Sequence, residues 1–310
     1  MNLPANLTHP RIKLFFALSR TPHGVIDIAT PGLAALLCIG QFPSFSIILL
    51  GLVTVFAGYT AVYALNDLVD YRTDRQKVRA GGYGDGEDYL DGVLVRHPLA
   101  KGALSMTEGL LWAAGWGLVA MIGAWLLNPV CFFIFIAGGM LEALYCLLLR
   151  VTPLRTLING IVKTLGAVAA VYAVTPQPSL LFLWVLFAWI FFWEIGGQNI
   201  PNDWTDVEED RLFKAKTIPV QLGLKRAGLV AMVCLVASFL LTFVLLWISP
   251  LAFGAVHLLG VTGLGIWLLL LPALQLVEAN RRRQAMDLFN KASLFPLSIL
   301  IVVLFRLTLF

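Results

Sequence analysis

Asn66-Asp67-Leu68-Val69-Asp70-Tyr71-Arg72-Thr73-Asp74 has a second copy further along the chain, Asn202-Asp203-Trp204-Thr205-Asp206-Val207-Glu208-Glu209-Asp210. Both obey N-D-x-x-D-x-x-x-D, both end a long apolar run, and both are followed by basic residues. If each copy is helical, its first, fifth and ninth residues recur at i, i+4 and i+8 and share one face. Asn66, Asp70 and Asp74 make one stripe, Asn202, Asp206 and Asp210 the other, with Asp67 and Asp203 flanking them. Carboxylates stacked four apart repel, at about 0.2–0.5 kcal/mol per pair. Two such stripes predict something cationic between them.

The surroundings decide the fold class. Of 310 residues, 59% are hydrophobic and only 13% charged, against about 25% charged in an average soluble domain. Mean hydropathy is +0.84. Without the apolar–polar alternation of a membrane barrel, this composition predicts an integral all-α membrane protein. Nine apolar stretches, near 25–40, 43–65, 107–127, 130–149, 157–174, 179–199, 228–248, 251–275 and 292–309, are candidate transmembrane helices. Most approach the ~20 residues needed to cross a bilayer. The connectors at 66–106, 150–156, 200–227 and 276–291 carry the charge. Together with the N-terminal segment they hold all of the 22 Lys and Arg residues except Lys163 and Arg306. Nine crossings put these segments on one side, which the positive-inside rule makes cytosolic. Both motifs then open to the cytoplasm from a multi-pass protein, in the inner or plasma membrane if the cell is bacterial.

The same topology accounts for the net charge of +4, so no nucleic-acid partner is inferred. Residues 1–24 lack the order of a cleaved signal peptide. Cys38, Cys131, Cys146 and Cys234 lie in apolar runs without a CxxC pair and read as buried free thiols. The glycine-rich insert 81–92 reads as loop.

Carboxylate and amide oxygens are hard ligands suited to Mg2+, which is typically held by a few carboxylates together with substrate phosphates. The absence of His and Cys from the two stripes argues against zinc. Acidic stripes beside Lys and Arg fit a diphosphate, bridged to the aspartates by Mg2+ and otherwise neutralised by the basic residues. A membrane bundle adds a greasy cavity for an isoprenoid tail. Aromatic faces would shelter an allylic cation, and Tyr145, Tyr172, Trp184, Trp189, Phe192 and Trp193 are candidates. Glu194 and Gln198, one turn apart and leading into Asn199, would line the cavity beneath the metal and orient an acceptor hydroxyl, with Glu194 as a possible base. Gly138-Gly139 and Gly196-Gly197 read as sites of close helix packing.

The two motifs, with Lys216-Thr217-Ile218-Pro219-Val220-Gln221-Leu222-Gly223 after the second, resemble the UbiA superfamily of intramembrane prenyltransferases. Tyr145-Cys146-Leu147-Leu148-Leu149-Arg150-Val151-Thr152-Pro153 is similar to that family's Y-x-x-x-K-R-T segment, with Leu149 in place of the Lys. Arg96-His97-Pro98-Leu99-Ala100-Lys101-Gly102 stands where the family has N-R-P-L-x-x-G. The likeness runs from about residue 20 to the C-terminus and makes 1–310 one domain with two pseudo-repeated halves.

The resemblance implies a nine-helix bundle around a central cavity, with two Mg2+ ions held by the two motifs. Asn66, Asp70 and Asp74 would bind metal from one side and Asp203, Asp206 and Asp210 from the other, with Asp70, Asp74, Asp206 and Asp210 the catalytic aspartates. Arg20, Arg96, Arg150 and Lys216 are its diphosphate candidates, and Glu194, Gln198, Asn199 and Tyr145 its acceptor-side candidates. The activity implied is transfer of a prenyl chain from a polyprenyl diphosphate to a hydrophobic or aromatic acceptor of the quinone-precursor type, within the lipid bilayer. Alternatives on the same metal site are a glycerol- or sugar-phosphate acceptor, a tetrapyrrole, or terpene cyclisation. A cation transporter is the alternative from another class.

Overall fold

The computed structural model describes residues 11–81 and 94–309. The glycine-rich insert falls almost wholly outside them. Among the described residues nine helices are long and apolar enough to cross a membrane. They are α1 (Thr21–Ile39), α2 (Phe45–Arg79), α3 (Met106–Leu127), α4 (Pro129–Arg150), α5 (Arg155–Val174), α6 (Leu180–Thr205), α7 (Leu224–Ile248), α8 (Ala255–Ala279) and α9 (Arg282–Leu309). No strand occurs among the described residues. The protein is an all-helical, integral, multi-pass membrane protein. Large apolar side chains such as Leu111, Trp184, Val233, Trp247 and Leu259 face outward, as a lipid solvent permits.

Local chemistry sets the helix starts. Ser105 caps α3 by accepting from the Glu108 N–H at 3.2 Å, while the Glu108 carboxylate accepts from the Ser105 N–H at 2.9 Å. Asn128 caps α4 by accepting from the Val130 N–H at 2.9 Å, with Pro129 at the first helical position. Neighbours in sequence pack side by side, α9 closes against α1, and α1 also packs on α5, leaving a space inside the ring.

Length places the motifs. The 35 residues of α2 span about 52 Å at 1.5 Å per residue, well beyond a hydrocarbon core of about 30 Å. About 20 residues suffice to cross, so a crossing begun at Phe45 is spent near Ala64, just before Asn66. The rest of α2 carries the first motif out of the membrane as unbroken helix. By the same count α6, begun at Leu180, is spent near Asn199, just before the second motif.

The second motif departs from the expected continuous stripe. Glu194–Asn199 form a π-helical turn, Ile200–Thr205 return to α-helix, and the chain breaks at Asp206 (φ −104°, ψ 12°) before a further turn over Val207–Leu212. The Thr205 hydroxyl donates to the Asn202 carbonyl at 2.8 Å, a back-bond that bends helices. A Cβ on Gly196 would stand 2.6 Å from the Ala231 carbonyl oxygen, and one on Gly197 2.8 Å from Ala292 Cβ. These two glycines therefore let α7 and α9 close on the π turn. Gly138 and Gly139 do less: a Cβ at Gly138 would meet Leu165 at an ordinary 3.4 Å and one at Gly139 nothing within 4 Å.

The charged connector expected at 276–291 is also more ordered than its composition suggested. Residues Arg282–Ser293 form the start of α9 and bury Ala285, Met286, Leu288, Phe289 and Ala292, the spacing of an amphipathic helix. That face packs on the π turn and on Ile200–Thr205, and Arg282 Nε donates to the Thr205 carbonyl at 3.0 Å.

Candidate active site

The two motifs meet at one mouth of the bundle. Lys77, three residues beyond Asp74 on α2, places Nζ 2.9 Å from Asp210 Oδ1, with both side chains buried. Arg96 reaches Asp206 Oδ2 at 3.0 Å. His97 Nδ1 lies 3.1 Å from Asp74 Oδ2 and 3.3 Å from Asp67 Oδ1. Arg155, at the start of α5, donates to Asp203 Oδ1 at 3.1 Å and lays its guanidinium 4.3 Å from the centre of the Tyr145 ring. Arg20 stands 3.7 Å from Asp67 Oδ1. Asp70 lies half-buried on α2, one turn from both Asn66 and Asp74. Each carboxylate of this cluster that forms an ion pair does so with a cation from a different element, which is how so much negative charge is tolerated at a membrane face.

Electrostatics at the mouth follow from these pairs. Burial alone would lower the His97 imidazolium, but Asp74 and Asp67 outweigh it and raise its pKa to about 9. Burial raises the Asp210 carboxyl above the ordinary range, with Lys77 pulling the other way. His97 also takes a left-handed backbone (φ 51°), a conformation that a non-glycine residue holds only when its surroundings impose it.

The sequence candidates divide in their placement. Arg20 and Arg96 stand against the aspartates. The Arg150 guanidinium donates instead to Gln76 Oε1 at 2.9 Å, and Lys216 is exposed, its backbone N–H donating to the Leu149 carbonyl at 2.7 Å. Lys77, His97 and Arg155 were missed as site residues. Only Lys77 announced itself, lying at i+3 from Asp74 on the same helical face. Asn66 Nδ2 donates to Glu142 Oε1 at 2.7 Å, which leaves its amide oxygen as the available acceptor.

A hard divalent cation fits this donor set. Asp203 Oδ2 is buried with no hydrogen-bond partner, and the other candidate ligands are carboxylate or amide oxygens. Donor atoms of Asp67, Asp74 and His97 lie within 4.8 Å of one another, close enough to share one ion.

Beneath the mouth lies a cavity of about 580 Å³, within the ~300–1,000 Å³ of ordinary ligand sites. Arg20, Asn66 and Asn202 line its upper end. Glu142, Tyr145, Lys163, Glu194, Gln198 and Asn199 form a polar belt. Apolar residues including Pro43, Ile47, Leu52, Phe135 and Leu304 line the rest. Asn199 Nδ2 donates to the Tyr145 hydroxyl at 3.0 Å, and the Ser293 hydroxyl donates to Gln198 Oε1 at 3.2 Å. Of the aromatic candidates Tyr145 faces this space, whereas Trp189 and Trp193 are spent in the core, donating to Thr242 and Ala292. Tyr59 and Tyr63 line the cavity instead.

A family model for the UbiA prenyltransferase family matches residues 28–295. The digeranylgeranylglyceryl phosphate synthase of Thermococcus kodakarensis is 25% identical over 233 residues, covering 74% of this chain and 77% of that protein. The 4-hydroxybenzoate octaprenyltransferase of Tolumonas auensis is 26% identical over 203 residues, 65% of each chain. Among solved structures, a UbiA homologue from Aeropyrum pernix superimposes with a TM-score of 0.75 at 20% identity, covering 91% of this chain and 97% of that one. One from Archaeoglobus fulgidus bound to GPP and Mg2+ gives 0.63 at 16% identity, covering 94% and 99%. These structural likenesses are likenesses of fold.

Proposed function

The chain belongs to the UbiA prenyltransferase family and is a prenyltransferase; from that premise we propose that it moves the chain of a polyprenyl diphosphate onto an aromatic, quinone-precursor type acceptor within the membrane. The observation that carries the reading is the Lys77–Asp210 contact, which joins the two acidic motifs at one mouth above an apolar cavity.

Asn66, Asp70 and Asp74 on one side, and Asp203, Asp206 and Asp210 on the other, hold Mg2+. The metal supplies Lewis acidity to the departing diphosphate. With Mg2+ on the carboxylates, Lys77, Arg96, His97 and Arg155, which now pair with the aspartates, would be available to neutralise the phosphate oxygens. Arg20 stands beside them, and Arg150 and Lys216, exposed at the rim, add to the field that draws the anion in. The tail lies along the apolar wall, and the faces of Tyr59, Tyr63 and Tyr145 flank the allylic carbon as its C–O bond breaks. The acceptor sits at the belt of Glu194, Gln198, Asn199 and Tyr145. The mouth faces the cytoplasm, where the basic connectors lie, and residues 1–310 act as one domain.

Protein in lipid nanodiscs is expected to release diphosphate from a polyprenyl diphosphate only with Mg2+ and an acceptor present, and Asp70→Ala or Asp206→Ala abolishes the release. Full activity in both variants rejects the mechanism. The likeness to digeranylgeranylglyceryl phosphate synthases favours a second reading, a glycerol-phosphate acceptor. Mass spectrometry of products from a mixed acceptor panel separates the two.

A further inference from the structure

Glu194 opens the π turn of α6 at the cavity wall and is 95% buried, with a relative exposure of 5%. Its Oε1 accepts from Asn159 Nδ2 at 2.8 Å. Its Oε2 is buried with no hydrogen-bond partner, and the nearest cation, Lys163 Nζ, is 3.9 Å away, beyond hydrogen-bond range. Lys163 is committed elsewhere, to Asp27 Oδ2 at 2.6 Å and to the Tyr63 hydroxyl at 3.1 Å. A buried carboxylate oxygen with unused acceptor capacity, on a residue that lines a ligand-sized cavity, is costly unless a donor meets it there.

The construction around Glu194 holds it in place. A π turn inside a transmembrane helix is uncommon and is found mostly at functional sites. Here Gly196 and Gly197 pin it against α7 and α9. Asn159 fixes one carboxylate oxygen, so the other has a set direction.

The charges on the wall limit what can bind. Among the described residues Lys163, Arg20 and His23 are the basic side chains lining the cavity; Lys163 and His23 stand against Asp27, and Arg20 against Asp67. Glu142 and Glu194 add two carboxylates. This belt holds no surplus of positive charge for a phosphate dianion, whereas it is rich in groups that accept from or donate to a hydroxyl.

We propose that Glu194 is the general base of the transfer, and that the acceptor is an alcohol or phenol without a phosphate group, seated with its O–H on Glu194 Oε2. The inference rests on the prenyl-transfer reading above and names its base and acceptor class. In the step, the acceptor O–H bond breaks and its proton goes to Glu194 Oε2. The freed electron pair forms the new bond to C1 of the prenyl chain, either from oxygen or, in a phenol, from the ring carbon beside it. The C1–O bond breaks and its pair leaves with the diphosphate. On the ring route the dienone then moves its ring proton to oxygen, so one proton is released per turnover on either route.

The test measures steady-state transfer in nanodiscs for wild type, Glu194→Gln and Glu194→Asp, with neutral phenols, neutral long-chain alcohols and a glycerol-phosphate ether as acceptors. Mg2+-dependent binding of a prenyl thiodiphosphate, a non-reacting analogue, is followed by calorimetry as the readout of fold and donor site. Glu194→Gln is expected to lose about 10²-fold or more in kcat, while acceptor KM and analogue affinity stay within about threefold of wild type. Glu194→Asp recovers part of the rate. Because the Gln variant can fail to fold, wild type is also given the methyl ether of its best acceptor, which has no O–H to donate and is expected not to react.

Wild-type kcat in Glu194→Gln, or turnover of the methyl ether at a rate near the parent's, overturns the base. Preference of wild type for the glycerol-phosphate ether overturns the acceptor class. A wild type that binds the analogue and transfers to none of the acceptors overturns this inference and the functional reading beneath it. Wild-type transfer with an indifferent Glu194→Gln overturns the inference alone.

Discussion

Replacing Lys77 by methionine tests whether the metal and this lysine compete for one carboxylate. Lys77 and Asp210 are 6% and 4% exposed and 2.9 Å apart, so deleting the cation strands a buried charge. Removing one partner of such a pair costs about 3–5 kcal/mol. That deficit should appear in full when the protein is unfolded with denaturant in EDTA. With saturating Mg2+ it should shrink to about 1 kcal/mol, because the ion replaces the lost charge on Asp210. Linkage then requires Mg2+ to bind the variant more tightly by the difference, about 3 kcal/mol or roughly 100-fold.

The same variant has a pH signature. Burial already holds the Asp210 carboxyl above its unfolded range, against the pull of Lys77. A raised carboxyl binds more protons folded than unfolded, so its stabilisation is present below the unfolded pKa and fades as pH rises through the folded one. Without Lys77 that window widens upward, and Lys77→Met in EDTA should lose more stability than wild type as pH rises through the raised folded value of this carboxyl. The measurements are denaturant unfolding followed by tryptophan fluorescence and Mg2+ titration by calorimetry. A variant that unfolds like wild type in EDTA, or that binds Mg2+ no more tightly, would falsify the competition and with it the assignment of Asp210 as a metal ligand.

His97 supplies a second pH test. Its folded pKa is raised to about 9 from an ordinary value of about 6.5. The stability it lends the metal-free protein is therefore complete below about pH 6.5 and lost as pH rises through about 9. His97→Asn should flatten that slope in EDTA, and an unchanged slope refutes the assignment. Asp70→Asn keeps the side-chain volume while removing a charge, and should weaken Mg2+ binding by at least about 10–100-fold, the loss typical even for outer partners of a metal ligand; calorimetry reads it. Gly196→Ala drives a methyl group to 2.6 Å from the Ala231 carbonyl oxygen and should cost about 1–3 kcal/mol in thermal or denaturant stability. Gly139→Ala, which meets nothing within 4 Å, should cost nothing and gain up to about 1 kcal/mol of helix propensity.

What could be read from the sequence was whatever depends on local periodicity. The spans are continuous apolar runs of bilayer length, and the first motif keeps helical spacing within one unbroken helix. The second motif has the same four polar letters at the same spacing, yet its helix breaks at Asp206, next to the Thr205 hydroxyl that donates to the Asn202 carbonyl, and spacing does not record that. Residues 276–291 looked like a charged connector because their charges were counted and their apolar phase was not; the buried set from Ala285 to Ala292 was present at helical spacing. The cavity tyrosines were overlooked for a similar reason. Tyr59, Tyr63, Asn66, Asp70 and Asp74 run down one stripe of α2 at steps of three and four, so the first motif already pointed along its own helix to the aromatic wall. The tryptophan-rich stretch before Glu194 was more conspicuous, but it packs against the core.

The remaining gap is one of long-range pairing. A lone charge in mid-membrane costs about 2.5–3.5 kcal/mol on insertion scales, so Lys163 within an apolar run announces that some acid must face it. The sequence presents Asp27, Glu142 and Glu194 as equal possibilities. Their separation along the chain carries no phase information, since each sits on a different helix. The fold chooses Asp27, 136 residues away, at 2.6 Å, and leaves Glu194 at 3.9 Å. That choice matters chemically. Had Lys163 closed on Glu194, both oxygens of that carboxylate would be occupied. Because Asp27 takes the lysine instead, one oxygen of Glu194, a residue of the cavity wall, is left without a hydrogen-bond partner.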